Sequence, residues 1–440
     1  VQEACRAIAF RVPEKLPMKP DLATADAVPP LIRRNTWLLA LSQCFTGAGM
    51  SFAYGLGPLM VLALTNSAAL SGLTVGLLGL SRFVAAYPTG RIMDRYGRKP
   101  GIQFGLALAL VGGVTVGASM YVKDIVVLTV GMFAFGMGIN ASQQMRVAAT
   151  DMYLPGMRAQ ALGFLALGAM VGLLASPALI WVAELIAHGT EQDPLGIPWL
   201  MMPLLIVPGM VLVLLVRPDP KEIGSNLAHY YPGYVAAPSG RAQGGAAFGT
   251  ATMMRNVPIR LAVIANCAGQ GNMSIVMVLT SLVLHHHGHS LGAIAFSHMF
   301  HSAGMFAFTV PLGRIADRHG REPVMYAGVA TALVGAIFVA FTTGYWLVTL
   351  GTFLVGLGWA AANVAATALI ADHVETGVRA RAIGVNDSFA GATTVLAALV
   401  TGPLMEWNGV GATGAAAVLF SVVPLVMAIA ARYSKSSGSG

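Results

Sequence analysis

Long apolar runs, separated by short polar breaks, recur along all 440 residues of the chain. A helix that crosses the hydrocarbon layer of a bilayer needs about 20 mostly apolar residues. Twelve runs meet that length, at roughly 36–63, 69–90, 100–121, 125–146, 159–186, 197–216, 258–284, 289–312, 323–343, 346–371, 381–403 and 410–431. They are too long and too rich in glycine for barrel strands, which alternate over about 10 residues. The pattern predicts an all-α polytopic membrane protein with twelve transmembrane helices. Composition agrees: 56% of residues are hydrophobic, 10% are charged and the mean hydropathy is +0.71, far from a soluble domain.

Charge adds the topology. The net charge of +8 alone would admit a nucleic-acid partner, but nearly all of the 26 Lys and Arg residues fall before the first run or in every second loop. Arg33 and Arg34, Arg91 to Lys99, Arg146 and Arg158, Arg217 to Arg260, Arg314 to Arg321, Arg379 and Arg381, and Arg432 with Lys435 form one set, and the opposite loops hold only Lys123. By the positive-inside rule, both termini and the central loop are expected in the cytoplasm, with the chain in the cytoplasmic (inner) membrane. The lipid bilayer, not nucleic acid, is the expected partner of this charge. Cys5, Cys44 and Cys267 provide neither a disulfide framework nor a CxxC pair. Residues 1–32 mix charges and prolines without an apolar core, so no signal peptide is expected.

The chain repeats itself. Gly90-Arg91-Ile92-Met93-Asp94-Arg95-Tyr96-Gly97-Arg98 returns 223 residues later as Gly313-Arg314-Ile315-Ala316-Asp317-Arg318-His319-Gly320-Arg321. Asp151, Arg158 and Gly163 likewise correspond to Asp372, Arg379 and Gly384, and Gly136 and Gly138 to Gly356 and Gly358. Two six-helix halves explain this: an N-terminal segment 1–32, a first half 33–216, a polar linker 217–257 and a second half 258–433, with 434–440 read as an expression remnant. The run GRIMDRYGRK resembles the loop signature of the major facilitator superfamily, and the resemblance covers nearly the whole chain after residue 33. It implies the major facilitator fold, two pseudo-symmetric six-helix halves. Physically, Gly90 lets neighbouring helices approach closely, and Asp94 at a helix end can pair with Arg98 or Arg158. A cluster of Gly90, Asp94, Gly97, Arg98, Asp151 and Arg158, echoed by Gly313, Asp317, Arg321, Asp372 and Arg379, is read as a conformational latch rather than a substrate site. The motifs usual in the superfamily's proton-coupled drug antiporters are missing from 125–145 and 163–177. No GxxxxGK[ST] run marks an ATP-driven pump, and no enzyme is expected.

Soft metal ligands stand out in the second half. Met273 and Met277 are spaced i, i+4 in the seventh run, and His301 and Met305 repeat that spacing in the eighth. Such spacing stacks two side chains on one helix face, and thioether with imidazole suits monovalent copper better than hard cations. At about 1.5 Å rise per residue, Met277, Met273, His301 and Met305 fall at depths of roughly 10, 15, 18 and 24 Å. Between the runs lies a histidine loop of His285, His286, His287 and His289, placed outside and able to capture metal. His298 shares the face of His301, as a further ligand or a proton acceptor. The paired motifs look like those of the CcoA-like (CalT) copper importers, in which they lie in the seventh and eighth helices. That resemblance implies inward copper transport with these four residues as ligands, copper as cargo rather than a resident cofactor, and a cytoplasmic copper acceptor as partner.

Plain readings stand beside this one. Among 23 methionines, one MxxxM pair is most often packing, and solvent-facing histidines are ordinary loop residues. Arg82, Gln270, Asn272 and Asp387 are polar groups inside the spans, available for coupling or for lining a cavity. Arg82 is awkward on a cation pathway unless Asp387 neutralises it. It favours instead an anionic or organic solute, and relatives in the same broad family are implicated in riboflavin uptake. A non-transporting copper sensor or assembly partner is the alternative of another class.

Overall fold

The computed structural model describes residues 28–154, 157–190, 193–232, 234, 250–374 and 379–437. Among them every regular element is helical. The first half comprises α1 (Pro30–Gly55), α2 (Gly57–Thr65), α3 (Leu73–Tyr96), α4 (Arg98–Val122), α5 (Ile125–Ser142), α6 (Met145–Asp151), α7 (Arg158–Thr190), α8 (Ile197–Leu200) and α9 (Met202–Leu215). The linker carries α10 (Pro220–Ser225), α11 (Leu227–Tyr230) and α12 (Thr250–Arg255). The second half comprises α13 (Val257–His286), α14 (Leu291–Ala307), α15 (Thr309–His319), α16 (Arg321–Phe341), α17 (Tyr345–Asp372) and α18 (Arg379–Ser437).

Among the described residues, eight helices are long and apolar enough to cross a membrane, and ten if the bent pairs α1–α2 (42°) and α14–α15 (43°) each form one span. The expected twelve is reached only by counting two more. The 59-residue α18 breaks at Asn408 and Gly409, whose backbone is non-helical, and so has two legs. Helix α3 has the length, but Arg82, Arg91, Asp94 and Arg95 depress its hydropathy. The first bend has a local cause, since Pro58 opens α2 and donates no backbone hydrogen bond. The second extends the eighth span past the expected 312, through Phe308, to His319.

The internal repeat reappears as packing. An added Cβ on Gly105 would meet Gly138 O at 3.0 Å, and one on Gly328 would meet Gly358 O at 2.7 Å. Glycines therefore bring α4 onto α5 and α16 onto α17 at matching places, as small residues do where helices cross in lipid. Outward-facing side chains such as Val111, Val130, Leu204 and Leu419 are exposed and apolar, a surface suited to acyl chains. By contrast, α13 is almost wholly buried.

The halves meet at one end. Near the histidine loop, an added Cβ on Gly72 would strike Ala398 O at 1.7 Å and one on Gly402 would strike Ala69 O at 1.9 Å, so the turn leading into α3 touches α18 backbone to backbone. Ser281 Oγ donates to Tyr54 O at 3.4 Å, and Gly55 packs against the His298 ring. Toward the arginine-rich end, an added Cβ on Gly90, Gly163 or Gly384 would meet nothing within 4 Å among the described residues. The bundle is closed at its histidine end and open at its basic end.

Candidate functional site

Helices α13, α14 and α17 position the predicted metal ligands. Met273, Met277, His298 and His301 are all buried, and Met305 is half-buried against the same core. The two histidines do not work as one face. The His298 ring reaches α13, with Nε2 2.9 Å from Ser281 Oγ, and its Nδ1 has no hydrogen-bond partner. His301 turns to α17, where Nδ1 lies 2.9 Å from Thr352 O. A three-residue step leaves side chains about 60° apart on a helix of 3.6 residues per turn, enough to send them to different neighbours. Because a carbonyl only accepts, the His301 Nδ1 carries the proton and Nε2 keeps its lone pair.

The histidine loop is partly helix. His285 and His286 form the last turn of α13, His287 caps it, and Gly288 turns the chain at φ +76°. His287 Nδ1 donates to Val283 O at 2.7 Å, and the His289 ring packs on Tyr345. Among the described residues, no three His, Cys, Asp or Glu side chains are grouped to hold a metal.

The polar residues of the spans separate into two groups. Asn272 is fully buried and donates to Ala417 O at 3.1 Å and Ser421 Oγ at 2.8 Å. It ties α13 to α18 rather than lining a cavity, which corrects the expectation for it. Gln270 Oε1 accepts from Thr394 Oγ1 at 3.3 Å on α18. Arg82 and Asp387, in contrast, are exposed although both lie within helices. Arg82 is close enough for its charge to act on Tyr54, Arg146 and Asp387, so polar groups of α1, α3, α6 and α18 gather around one cation. Ionisable groups inside a membrane persist where they face a cavity or a partner.

At the basic end, each half holds an arginine between two carboxylates. Arg98 pairs with Asp94 at 3.2 Å and with Asp151 at 2.7 Å. Arg321 pairs with Asp317 and, at 3.2 Å, with Asp372. Asp94 therefore uses Arg98 of the two expected partners, and Asp151 bonds the same arginine, while Arg158 is exposed. The Arg379 side chain lies outside the described residues. Gly97 and Gly320 open the matching turns at φ +105° and +95°, a region that favours glycine. Gly90 and Gly313 approach no other helix closely here, Gly313 meeting only Val364 of its own half at 3.9 Å. This end is open, so the close contact expected of Gly90 is not made in this conformation.

The sequence pattern does not single out Asp219. Its carboxylate accepts from the backbone N–H of Arg98 and Lys99 at 3.0 and 2.9 Å and from that of Lys221 at 2.9 Å. It thus caps α4 and α10 together and docks the linker under the first half. Tyr231 adds a hydrogen bond to Met152 O at 3.1 Å, and burial pushes its phenol above the ordinary value, keeping it a donor. The signal available in sequence was only the Asp-Pro step that begins many helices.

Comparison with known proteins agrees with this architecture. The chain is 28% identical over 370 residues to the "Uncharacterized MFS-type transporter YdeG" of Bacillus subtilis, covering 81% of this chain and 82% of that one. It is 26% identical over 386 residues to the riboflavin transporter RfnT of Brucella anthropi, covering 86% and 90%. Among solved structures, the nucleoside transporter NupG (TM-score 0.66, 15% identity, 91% and 98% covered) and the Escherichia coli xylose transporter XylE (TM-score 0.66, 14% identity, 90% and 95% covered) share the fold. The Major Facilitator Superfamily model matches residues 39–258 and 261–439. The chain therefore belongs to the Major Facilitator Superfamily and is a multi-pass secondary transporter, not an enzyme.

Proposed function

We propose that the protein imports monovalent copper across the cytoplasmic membrane by alternating access. The observation that carries this reading is the state of His301: buried, with Nδ1–H committed to the Thr352 carbonyl and the Nε2 lone pair left for a ligand. Metal-binding imidazoles are held in this way, by a carbonyl on the opposite nitrogen. Met305 lies one turn on from His301, and Met273 and Met277 are buried in the same core. Thioethers complete a set that suits monovalent copper. With the basic end inside by the positive-inside rule, the open end faces the cytoplasm and an acceptor waiting there. A negative interior favours entry of a univalent cation by about 2.3 kcal/mol per 100 mV. The copper reading rests on these side chains, since neither relative's name speaks of copper.

A second reading has its own support. The exposed Arg82 and Asp387 suit an amphipathic organic solute, and one relative is named a riboflavin transporter. Purified protein in liposomes separates the two. Copper uptake, measured under reducing conditions, should fall about tenfold or more in Met277→Ala and His301→Ala at equal protein level. Undiminished copper uptake in both variants, together with riboflavin uptake that Arg82→Ala abolishes, would replace copper by the organic solute.

A further inference from the structure

The contacts that close the histidine end obey the internal repeat. Ser290 caps α14, its Oγ accepting from Ala293 N at 3.2 Å, and the Leu291 N–H beside it donates to Glu184 Oε1 of α7 at 2.8 Å. In the other half, Ser67 caps the short turn at Ala68–Leu70, its Oγ accepting from Ala69 N at 3.2 Å and donating to Glu406 Oε2 of α18 at 3.2 Å. Ser67 and Ser290 are 223 residues apart, and Glu184 and Glu406 are 222 apart. Each carboxylate stands near the outer end of the fifth helix of one half and grips the start of the second helix of the other. Both contacts cross between halves, and both must break before this end can open.

We propose that Glu184 and Glu406 are paired gate residues whose carboxylates hold the transporter closed at the histidine end. The pair is unequal. Glu184 is half-buried, bonds a backbone N–H at a helix N-terminus and also packs on Gly292. An anion there gains from the helix dipole. Glu406 is exposed and reaches only a hydroxyl, where water competes. Glu184 is the main clasp and Glu406 the lesser one, whatever solute is carried.

Distance measurements between spin labels test this directly. One label pair, at Thr190 and Thr343, spans the halves at the histidine end, and a second, at Tyr96 and His319, spans the basic end; all four positions are exposed. Cys5, Cys44 and Cys267 are first replaced by Ser. Glu184→Ala is expected to raise the ratio of open to closed distances at the histidine end about tenfold or more, the size of one charge-assisted hydrogen bond, while the basic-end distance shortens. Glu406→Ala should shift the ratio less, and Glu184→Gln, which keeps an acceptor, should lie between Glu184→Ala and the parent. Unchanged distances in a Glu184→Ala protein that melts like the parent would overturn the proposal. So would a longer histidine-end distance with no shortening at the basic end, which marks fraying of α14 alone.

Discussion

Arg98 and Arg321 occupy repeated sequence and make the same bonds, yet they sit in different surroundings. Arg98 and Asp151 are 18% and 27% exposed, whereas Arg321 and Asp372 are 25% and 53% exposed. The difference comes from the one segment that the repeat does not duplicate. The linker folds under the first half through Asp219 and Tyr231 and shields its triad. Among the described residues nothing equivalent covers the second. A duplicated arginine–carboxylate triad has thus become one braced cluster and one open cluster, and rigidity at the basic end should be lopsided.

Removing the central arginine should break the comparison most visibly. Arg98→Ala leaves Asp94 and Asp151 without their cation and should cost about 1.5–3 kcal/mol of stability, the range for hydrogen bonds to charged groups. Thermal melting in detergent should show it, with a clearly smaller loss for Arg321→Ala. The brace itself is tested by Asp219→Ala, which removes a helix cap worth about 1 kcal/mol. Hydrogen exchange should then speed up at the first turn of α4 and stay unchanged at the first turn of α16. Equal acceleration in both halves would contradict a role for the linker.

The smallest stability change is expected for Asp94→Asn. Asp94 is 77% exposed here, and surface ion pairs contribute about 0–1 kcal/mol, so melting should barely move. Turnover should nevertheless fall severalfold with little change in apparent substrate affinity, because Asp94 belongs to the end that must close. A slower rate with intact binding in liposome flux supports the latch. Normal turnover with weakened binding would remove it.

What could be read in advance follows from the range of each interaction. The loop signature and the glycine pairs are repeated along the chain; the glycine pairs reappear as packing of one helix on its neighbour, and the signature as an arginine held between two carboxylates in each repeat. Asp219 escaped because capping a helix 121 residues away in sequence leaves no local trace. His298 and His301 shared a face by spacing, but α13 and α17 approach α14 from different sides and divide them. Asn272 looked like a cavity anchor because a lone amide in an apolar run stands out. Only the placement of α18 shows its amide nitrogen held by Ser421 and Ala417.

One glycine constrains how a cargo could leave. An added Cβ on Gly356 would lie 2.2 Å from His301 O and 3.2 Å from its Nδ1, so α17 presses directly on the backbone and the ring of that residue. On that side the imidazole is held by α17, through this contact and its bond to Thr352 O, like the fixed jaw of a vice. If copper is the cargo, methionine side chains, with three rotatable bonds and a polarizable sulfur, would be the moving jaw. Release of a bound cation would then begin with a thioether letting go while the histidine stays in place.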